Sequence, residues 1–326
     1  MDITLLILIS LGLAFYIAWI FFTLKSIDGV IRFIELGMFT TALLVLWRVF
    51  KLNLDFGLVL AVATAFAGLS WSLGQKLDIK SLLEESKSYF WILLVILSIR
   101  SFWYEPYQIP SSSMEPGLQI GDFVLVNKSI FGLKLPGTTF PINQGESPER
   151  GDVAVFYPPH TLCSVKPEDS RPDLSILTLS ESQAFLRRFI SLQNSRCTSL
   201  GTKYVKRVIG LPGDEVKMSG HQLWINGKKV EQKLLGIKSG KSLFEETLGN
   251  NIHVIRTNSK SLYSEYRWQI PKEKYLAIGD NRDNSLDSRD WGYFSEKYLV
   301  GKAEFIWLHW GSFSELPSFK RNSRIK

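Results

Sequence analysis

The run from Ile3 to Leu24 holds 22 residues without a charge. As one helix it would be about 33 Å long, enough to cross the hydrocarbon layer of a bilayer. Its apolar part is longer than the core of a secretory leader, no basic segment precedes it, and no Ala-x-Ala site follows. It reads as a retained anchor, and a chain that begins this way is expected to fold against a membrane.

Three further candidates follow. Phe56 to Gln75 is a second long uncharged run; Ile31 to Val49 is interrupted by Arg32, Glu35 and Arg48; Tyr89 to Tyr104 has eleven uncharged residues before Arg100 and then Phe102, Trp103 and Tyr104. Aromatic residues favour the interface and an arginine near a helix end can snorkel, so a short span ending there is expected. Residues 1–104 are therefore read as a membrane region of two to four helices. With four spans, five basic residues (Lys25, Arg32, Lys76, Lys80, Lys87) share one side and three (Arg48, Lys51, Arg100) the other. The positive-inside bias then places the N-terminus and the C-terminal domain outside the cytoplasm.

Residues 105–326 have the mixed composition of a folded domain, long enough for a sizeable core. Strand signals dominate it: Phe123 to Val126, Val153 to Phe156, Tyr275 to Ile278 and Glu304 to Leu308 are short β-rich runs. Leu223-Trp224-Ile225, Asn226-Gly227 and Lys228-Lys229-Val230 spell a hairpin, because Asn-Gly supplies the positive φ values of a type I′ turn. The spacing predicts a short helix over Glu181–Leu192 inside a polar, serine-rich, irregular insertion at 160–203. The fold class is thus N-terminal transmembrane helices followed by a mainly β domain. A net charge of +7 without a basic, aromatic-laced stripe points away from nucleic acid. The basic tail from Lys320 to Lys326 is read as a solubility device, with contact to anionic headgroups as the alternative.

Cys163 and Cys197 both fall in this domain. In an oxidising compartment a disulfide between them would close a loop worth about 3–4 kcal/mol, while two free buried thiols remain the alternative. Too few ligands surround them for a metal site, and no metal or cofactor is expected.

The chemistry concentrates in three segments. Gln108-Ile109-Pro110-Ser111-Ser112-Ser113-Met114-Glu115-Pro116 follows the last apolar run, with prolines stiffening both sides of Ser113. A serine hydroxyl needs a base to become a nucleophile. His160, His221, His253 and His309 lie in contexts that suggest structural roles. In Tyr204-Val205-Lys206-Arg207-Val208, strand alternation puts Lys206 on one face with Tyr204 and Val208. Partial loss of water there would lower the lysine pKa. Bringing it from about 10.4 to near 8 takes roughly 3 kcal/mol of differential destabilisation of the charged form. Arg207 cannot serve as the base, since guanidinium stays charged. The third segment is the polar loop Gly279-Asp280-Asn281-Arg282-Asp283-Asn284-Ser285-Leu286-Asp287-Ser288-Arg289.

Together with Gly151 to Phe156, these segments resemble, in family order, the signature boxes of bacterial type I signal peptidase, the S26 leader peptidases. The resemblance runs from Arg100 to about Gly311. It implies Ser113 as the acylated nucleophile of a serine endopeptidase and Lys206 as its general base. Ser111 and the Ser113 N–H form the oxyanion hole. Ser285 orients the lysine by a hydrogen bond, Asp287 and Arg289 form a supporting ion pair, and Asp280 with Arg282 stiffens the loop. An extended substrate strand with small side chains one and three residues before the cut would meet pockets lined by Tyr107, Ile109, Pro110, Met114, Tyr204 and Val205. The implied partners are signal peptides of exported preproteins and the lipid bilayer. The implied setting is a monomer in the bacterial inner membrane with its catalytic domain on the periplasmic side. The chain departs from the common pattern at Gly117, where a threonine is frequent, in the 160–203 insertion, and in its number of candidate spans. Two rivals are a soluble self-cleaving repressor of related fold, disfavoured by the anchors and the Gly279–Arg289 loop, and a non-enzymatic membrane-bound β scaffold, disfavoured by the Ser113 and Lys206 pair.

Overall fold

A computed structural model describes residues 2–51, 56–133, 142–172, 178–198, 201–258, 265–312 and 315–326. The chain divides into two compact units, with the change from one to the other between Ser101 and Phe102.

The first unit is helical: α1 (Ile3–Leu24), α2 (Asp28–Lys51), α3 (Phe56–Leu77) and α4 (Lys80–Phe102). Asp2 caps α1 by accepting from the Leu5 N–H. Arg48 closes on the same carboxylate, with Nη2–Oδ2 at 2.7 Å and Nε–Oδ1 at 3.1 Å. This pair joins the start of α1 to the end of α2, so the two helices run antiparallel. Tyr16 donates to Ser70 Oγ at 2.8 Å and ties α1 to α3. Among the described residues three helical stretches are long and apolar enough to cross a membrane: Ile3–Leu24, Gly29–Val49 and Gly57–Leu77. The fourth candidate differs from expectation. Its helix begins at Lys80, runs through Glu84, Glu85 and Lys87, and stops at Phe102, while Tyr104 already belongs to a strand. The apolar part from Tyr89 to Ile99 covers about 16 Å, roughly half a hydrocarbon core.

The second unit is built on antiparallel strands: β1 (Tyr104–Gln108), β2 (Asp122–Asn127), β3 (Val153–Phe156), β4 (Tyr204–Gly210), β5 (Glu215–Ser219), β6 (Gln222–Ile225), β7 (Lys228–Lys229), β8 (Glu231–Lys238), β9 (Lys241–Leu248), β10 (Asn251–Asn258), β11 (Glu265–Gln269), β12 (Lys274–Ile278), β13 (Phe294–Ser295), β14 (Leu299–His309) and β15 (Ser323–Arg324). Helix α5 (Leu179–Arg196) lies between β3 and β4, and the short α6 (Ser288–Trp291) between β12 and β13. The main sheet has the order β1-β2-β14-β3-β4-β12-β13, with β15 paired to β14; two smaller sheets are β10-β9-β8 and β11-β5-β6-β7. The Asn226-Gly227 turn joins β6 to β7 with φ values of 50° and 75°, as the hairpin signal requires.

Strand β3 explains the layering. All four of its residues are buried, because alternate side chains enter different cores. Val153 and Val155 join Ile109, Met114, Val124 and Val126, whereas Ala154 and Phe156 join Phe189, Val208, Trp291 and Phe294. The β5-β6 hairpin and β11 close a third cluster around Trp268, Leu223 and Ile209.

The insertion at 160–203 is more ordered than its composition suggests; residues 173–177 and 199–200 lie outside the described residues. Helix α5 extends from Leu179 to Arg196, longer at both ends than expected. Thr178 and Glu181 form a reciprocal capping box at its start. Phe189 sinks completely into the core, and Cys197, the residue after the last turn, is bonded to Cys163. The Thr-x-x-Glu spacing is the sequence signal for the true start of this helix.

Candidate active site

The segment after β1 cannot continue as a strand through its two prolines. It extends at Ser111 (φ −138°, ψ 158°), then tightens into a 3-10 turn over Ser112–Met114. The Ser111 hydroxyl makes no capping bond and lies 3.3 Å from Ser113 Oγ. Met114 is buried and pins the turn to the β-sheet core, which leaves Ser113 9% exposed beside it.

Lys206 comes from β4, which is separated from β1 in the main sheet by β2, β14 and β3. In a flat sheet that spacing would be about 19 Å. The gap closes because the serine segment lies off the strands and the sheet is bent. Strand β14, in the middle, carries register shifts at Leu299/Gly301, Ala303/Phe305 and Ile306/Leu308, and such bulges bend and twist a strand. Lys206 Nζ ends 2.6 Å from Ser113 Oγ, with the Val205 carbonyl at 3.1 Å and the Tyr204 ring centroid at 5.4 Å. The side chain is only 3% exposed. Burial pulls its pKa down to about 8, against the pull of Asp287 and Asp280, which favour the charged form.

The Gly279–Arg289 loop holds both partners. The Asn281 N–H donates to Ser113 O at 3.1 Å, Asn281 Nδ2 to Ser112 O at 2.9 Å, and Asn284 Nδ2 to Ser112 Oγ at 2.8 Å. Gly279 is required by this close approach: a Cβ there would lie 2.5 Å from Ser113 O and would also collide with Ser285 Oγ. Asp287, fully buried, accepts from Arg289 at 2.8 Å through both carboxylate oxygens and from the Gly279 N–H at 3.0 Å. Burial would raise the Asp287 pKa, but Arg289 holds it below the usual carboxylate value.

One expected arrangement is corrected and another is made specific. Asp280 and Arg282 brace the loop through separate partners: Asp280 grips Arg207, while Arg282 pairs with Glu246 from β9. The packing of β4 and β9 against the loop offers each charge a nearer partner than its neighbour in sequence. Ser285 does not bond Lys206: the second bond of the amine goes to Val205 O, and the buried Ser285 hydroxyl lies by the Asp287 carboxylate. The loop instead turns Ser285 toward Gly279. Arg207, Asn281 and Asn284 are the supporting residues that motif reading missed, since nothing in their spacing announces which carbonyl or carboxylate they reach.

Among the described residues no histidine is hydrogen-bonded to Ser113. His221 meets Asp283, His309 meets Asp122, and His253 lies near Glu246. His160 stacks on Trp291 and is held neutral, its pKa lowered by burial to about 4.

A cleft of about 370 Å³ opens over Ser113 and Lys206. Tyr107, Ile109, Pro110, Met114, Tyr204 and Val205 all line it, Ile109 and Met114 as core residues that show only an edge. Among the described residues no group of His, Cys, Asp and Glu is arranged to hold a metal.

A hydroxyl against a desolvated amine, beside a second hydroxyl and an open cleft, on a β domain that follows apolar helices, has what a membrane-anchored serine hydrolase with a lysine base requires. The family model for signal peptidase, peptidase S26 matches residues 82–310. Signal peptidase I of Pseudomonas aeruginosa is 36% identical over 259 residues, covering 74% of this chain and 78% of the relative. That of Pseudomonas fluorescens is 37% identical over 268 residues (75% and 80%), and that of Haemophilus influenzae 31% over 332 residues (80% and 89%). The chain belongs to the S26 signal peptidase family.

Proposed function

We propose that this chain is a membrane-anchored signal peptidase that removes signal peptides from exported preproteins, with Ser113 as nucleophile and Lys206 as general base. The observation that carries the reading is the 2.6 Å approach of Lys206 Nζ to Ser113 Oγ by an amine whose pKa is depressed to about 8. When neutral, the amine accepts the Ser113 proton as Oγ attacks the scissile carbonyl. The oxyanion takes hydrogen bonds from the Ser111 hydroxyl and the Ser113 N–H. The lysine ammonium then returns the proton to the leaving amine, and an ester to Ser113 remains. Water, deprotonated by the same amine, hydrolyses that ester and frees the serine.

The substrate would lie extended between the end of β1 and the start of β4, where Tyr107, Ile109, Pro110, Met114, Tyr204 and Val205 offer apolar walls for alternate side chains. The supporting residues act on geometry. Asp287 with Arg289, and Asp280 with Arg207, fix the loop that carries the nucleophile's backbone partners.

The membrane region comprises residues 1–104 and the catalytic domain 105–326, acting as a monomer and without nucleic acid. Its place is the bacterial inner membrane with the catalytic domain outside the cytoplasm. That orientation is supported by the five-against-three distribution of basic residues, which needs α4 to act as a short fourth span with its charged first turns at the cytoplasmic face.

The test is direct. Detergent-solubilised protein incubated with a preprotein should yield the mature form, and Ser113→Ala and Lys206→Ala should each abolish cleavage while the domain stays folded. Comparable residual activity in either variant would sink the dyad.

A further inference from the structure

Arg196 is the last residue of α5 and the immediate neighbour of the bonded Cys197. The helix that delivers it is capped at Thr178, anchored in the core through Phe189 and stapled at its end by the disulfide. Its guanidinium is placed at the cleft, where Nη1 donates to Tyr204 OH at 3.3 Å. Tyr204 stands two residues along β4 from Lys206 and its ring centroid is 5.4 Å from the amine, so Arg196 meets the cleft through the tyrosine that also flanks the base.

The charge balance at that end is one-sided. No aspartate or glutamate is among the residues lining the cleft. Lys203 donates to Tyr107 OH at 2.7 Å, so its ammonium is engaged with that tyrosine; the hydroxyl in turn donates at 2.8 Å to Glu105, which is itself paired with Lys128. Buried His160, in edge contact with Tyr204, stays uncharged and adds nothing. Arg196 is exposed and, among the described residues, has no carboxylate partner.

We infer that Arg196 is a specificity-determining residue that favours peptides carrying an aspartate or glutamate a few residues before the cut. The inference rests on the peptidase reading and deepens it. An extended peptide advances about 3.3 Å per residue, so a carboxylate three to six residues ahead of the scissile bond falls within reach of this guanidinium. The pair is exposed, which limits its effect to a factor of about two to five and makes it salt-dependent. Because the contact would be to a side chain outside the scissile bond, it should act mainly on KM.

The experiment compares kcat/KM for peptides bearing Glu, Gln or Lys at each of the third to sixth residues before the cut. Wild type, Arg196→Gln and Arg196→Glu would be assayed at low and high salt. At one of these positions wild type should prefer Glu over Lys by about fivefold at low salt, with the preference shrinking at high salt. Arg196→Gln should bring the ratio near one, and Arg196→Glu should invert it. A Glu-to-Lys ratio unchanged between wild type and Arg196→Glu at every position would overturn the inference. So would an equal loss on all three peptides in Arg196→Gln, since that marks a brace for Tyr204 and nothing more. If wild type cut none of the peptides, the peptidase reading itself would fail and take this inference with it.

Discussion

Asp280 holds Arg207 in a two-pronged, buried ion pair, with Nε–Oδ1 at 2.8 Å and Nη2–Oδ2 at 2.7 Å. Arg207 is the neighbour of Lys206 on β4, and Asp280 the neighbour of Asn281, which bonds the Ser113 carbonyl. One fork therefore ties the strand of the base to the loop that holds the nucleophile.

Breaking that fork should be costly. Asp280→Asn leaves a buried guanidinium uncompensated, and Arg207→Lys keeps charge but loses the fork, so each should destabilise the domain by about 3 kcal/mol. Urea unfolding of the detergent-solubilised protein measures this. Because Asp280 favours the charged form of Lys206, Asp280→Asn should also move the activity profile to lower pH. A variant as stable as wild type would show that the fork is dispensable.

The lysine sets the pH dependence. Only the neutral amine accepts the serine proton, so kcat/KM should rise with pH through about 8, the depressed value for Lys206. A guanidinium in its place could not shed its proton, so Lys206→Arg should be inactive at every usable pH. A flat profile from pH 6 to 10, with chemistry rate-limiting and the protein folded, would exclude a lysine base titrating in that window.

Ser111 can be separated from a mere turn residue. Its hydroxyl is free of capping duty and 3.3 Å from Ser113 Oγ. Ser111→Ala should lower kcat by roughly 10²–10³ with little change in KM, and Ser111→Thr should recover part of it. Full activity in the alanine variant would remove Ser111 from the oxyanion hole.

Gly279→Ala probes the closeness of the loop to the nucleophile. The added methyl would meet the Ser113 carbonyl at 2.5 Å, so the backbone of one or the other must move. We expect a loss of about 1–3 kcal/mol in stability and at least a tenfold fall in kcat, since small misplacements at a reacting group are expensive. Normal kinetics would mean the loop yields without disturbing Ser113.

Single cysteines in a Cys163→Ser, Cys197→Ser background decide the number of spans. With four spans, a cysteine replacing Lys51 should react with an impermeant thiol reagent from outside the cell, and one replacing Gln75 should react only after the membrane is opened. The reverse pattern would leave α4 outside the bilayer and make three the number of crossings.

Much of this protein was written in contiguous residues. Uncharged length marks α1 and α3, Asn226-Gly227 marks its hairpin, and β-rich runs mark β2, β3, β12 and β14, because hydropathy, turn geometry and strand propensity act over a few neighbours. The motif boxes likewise singled out Ser113 and Lys206 as residue types in suggestive surroundings. What the chain could not state locally is who meets whom. Asp280 might have paired with Arg282 two residues away, yet packing hands it to Arg207, and Arg282 goes to Glu246. The polar insertion showed a short helix over Glu181–Leu192, but not that it runs 18 residues and carries Arg196 to the cleft. The 93-residue separation of Ser113 and Lys206 collapses to 2.6 Å only because a bulged sheet bends beneath them. Those outcomes depend on burial and on competition among distant partners, which exist only once the cores have formed and water has been driven from between the strands.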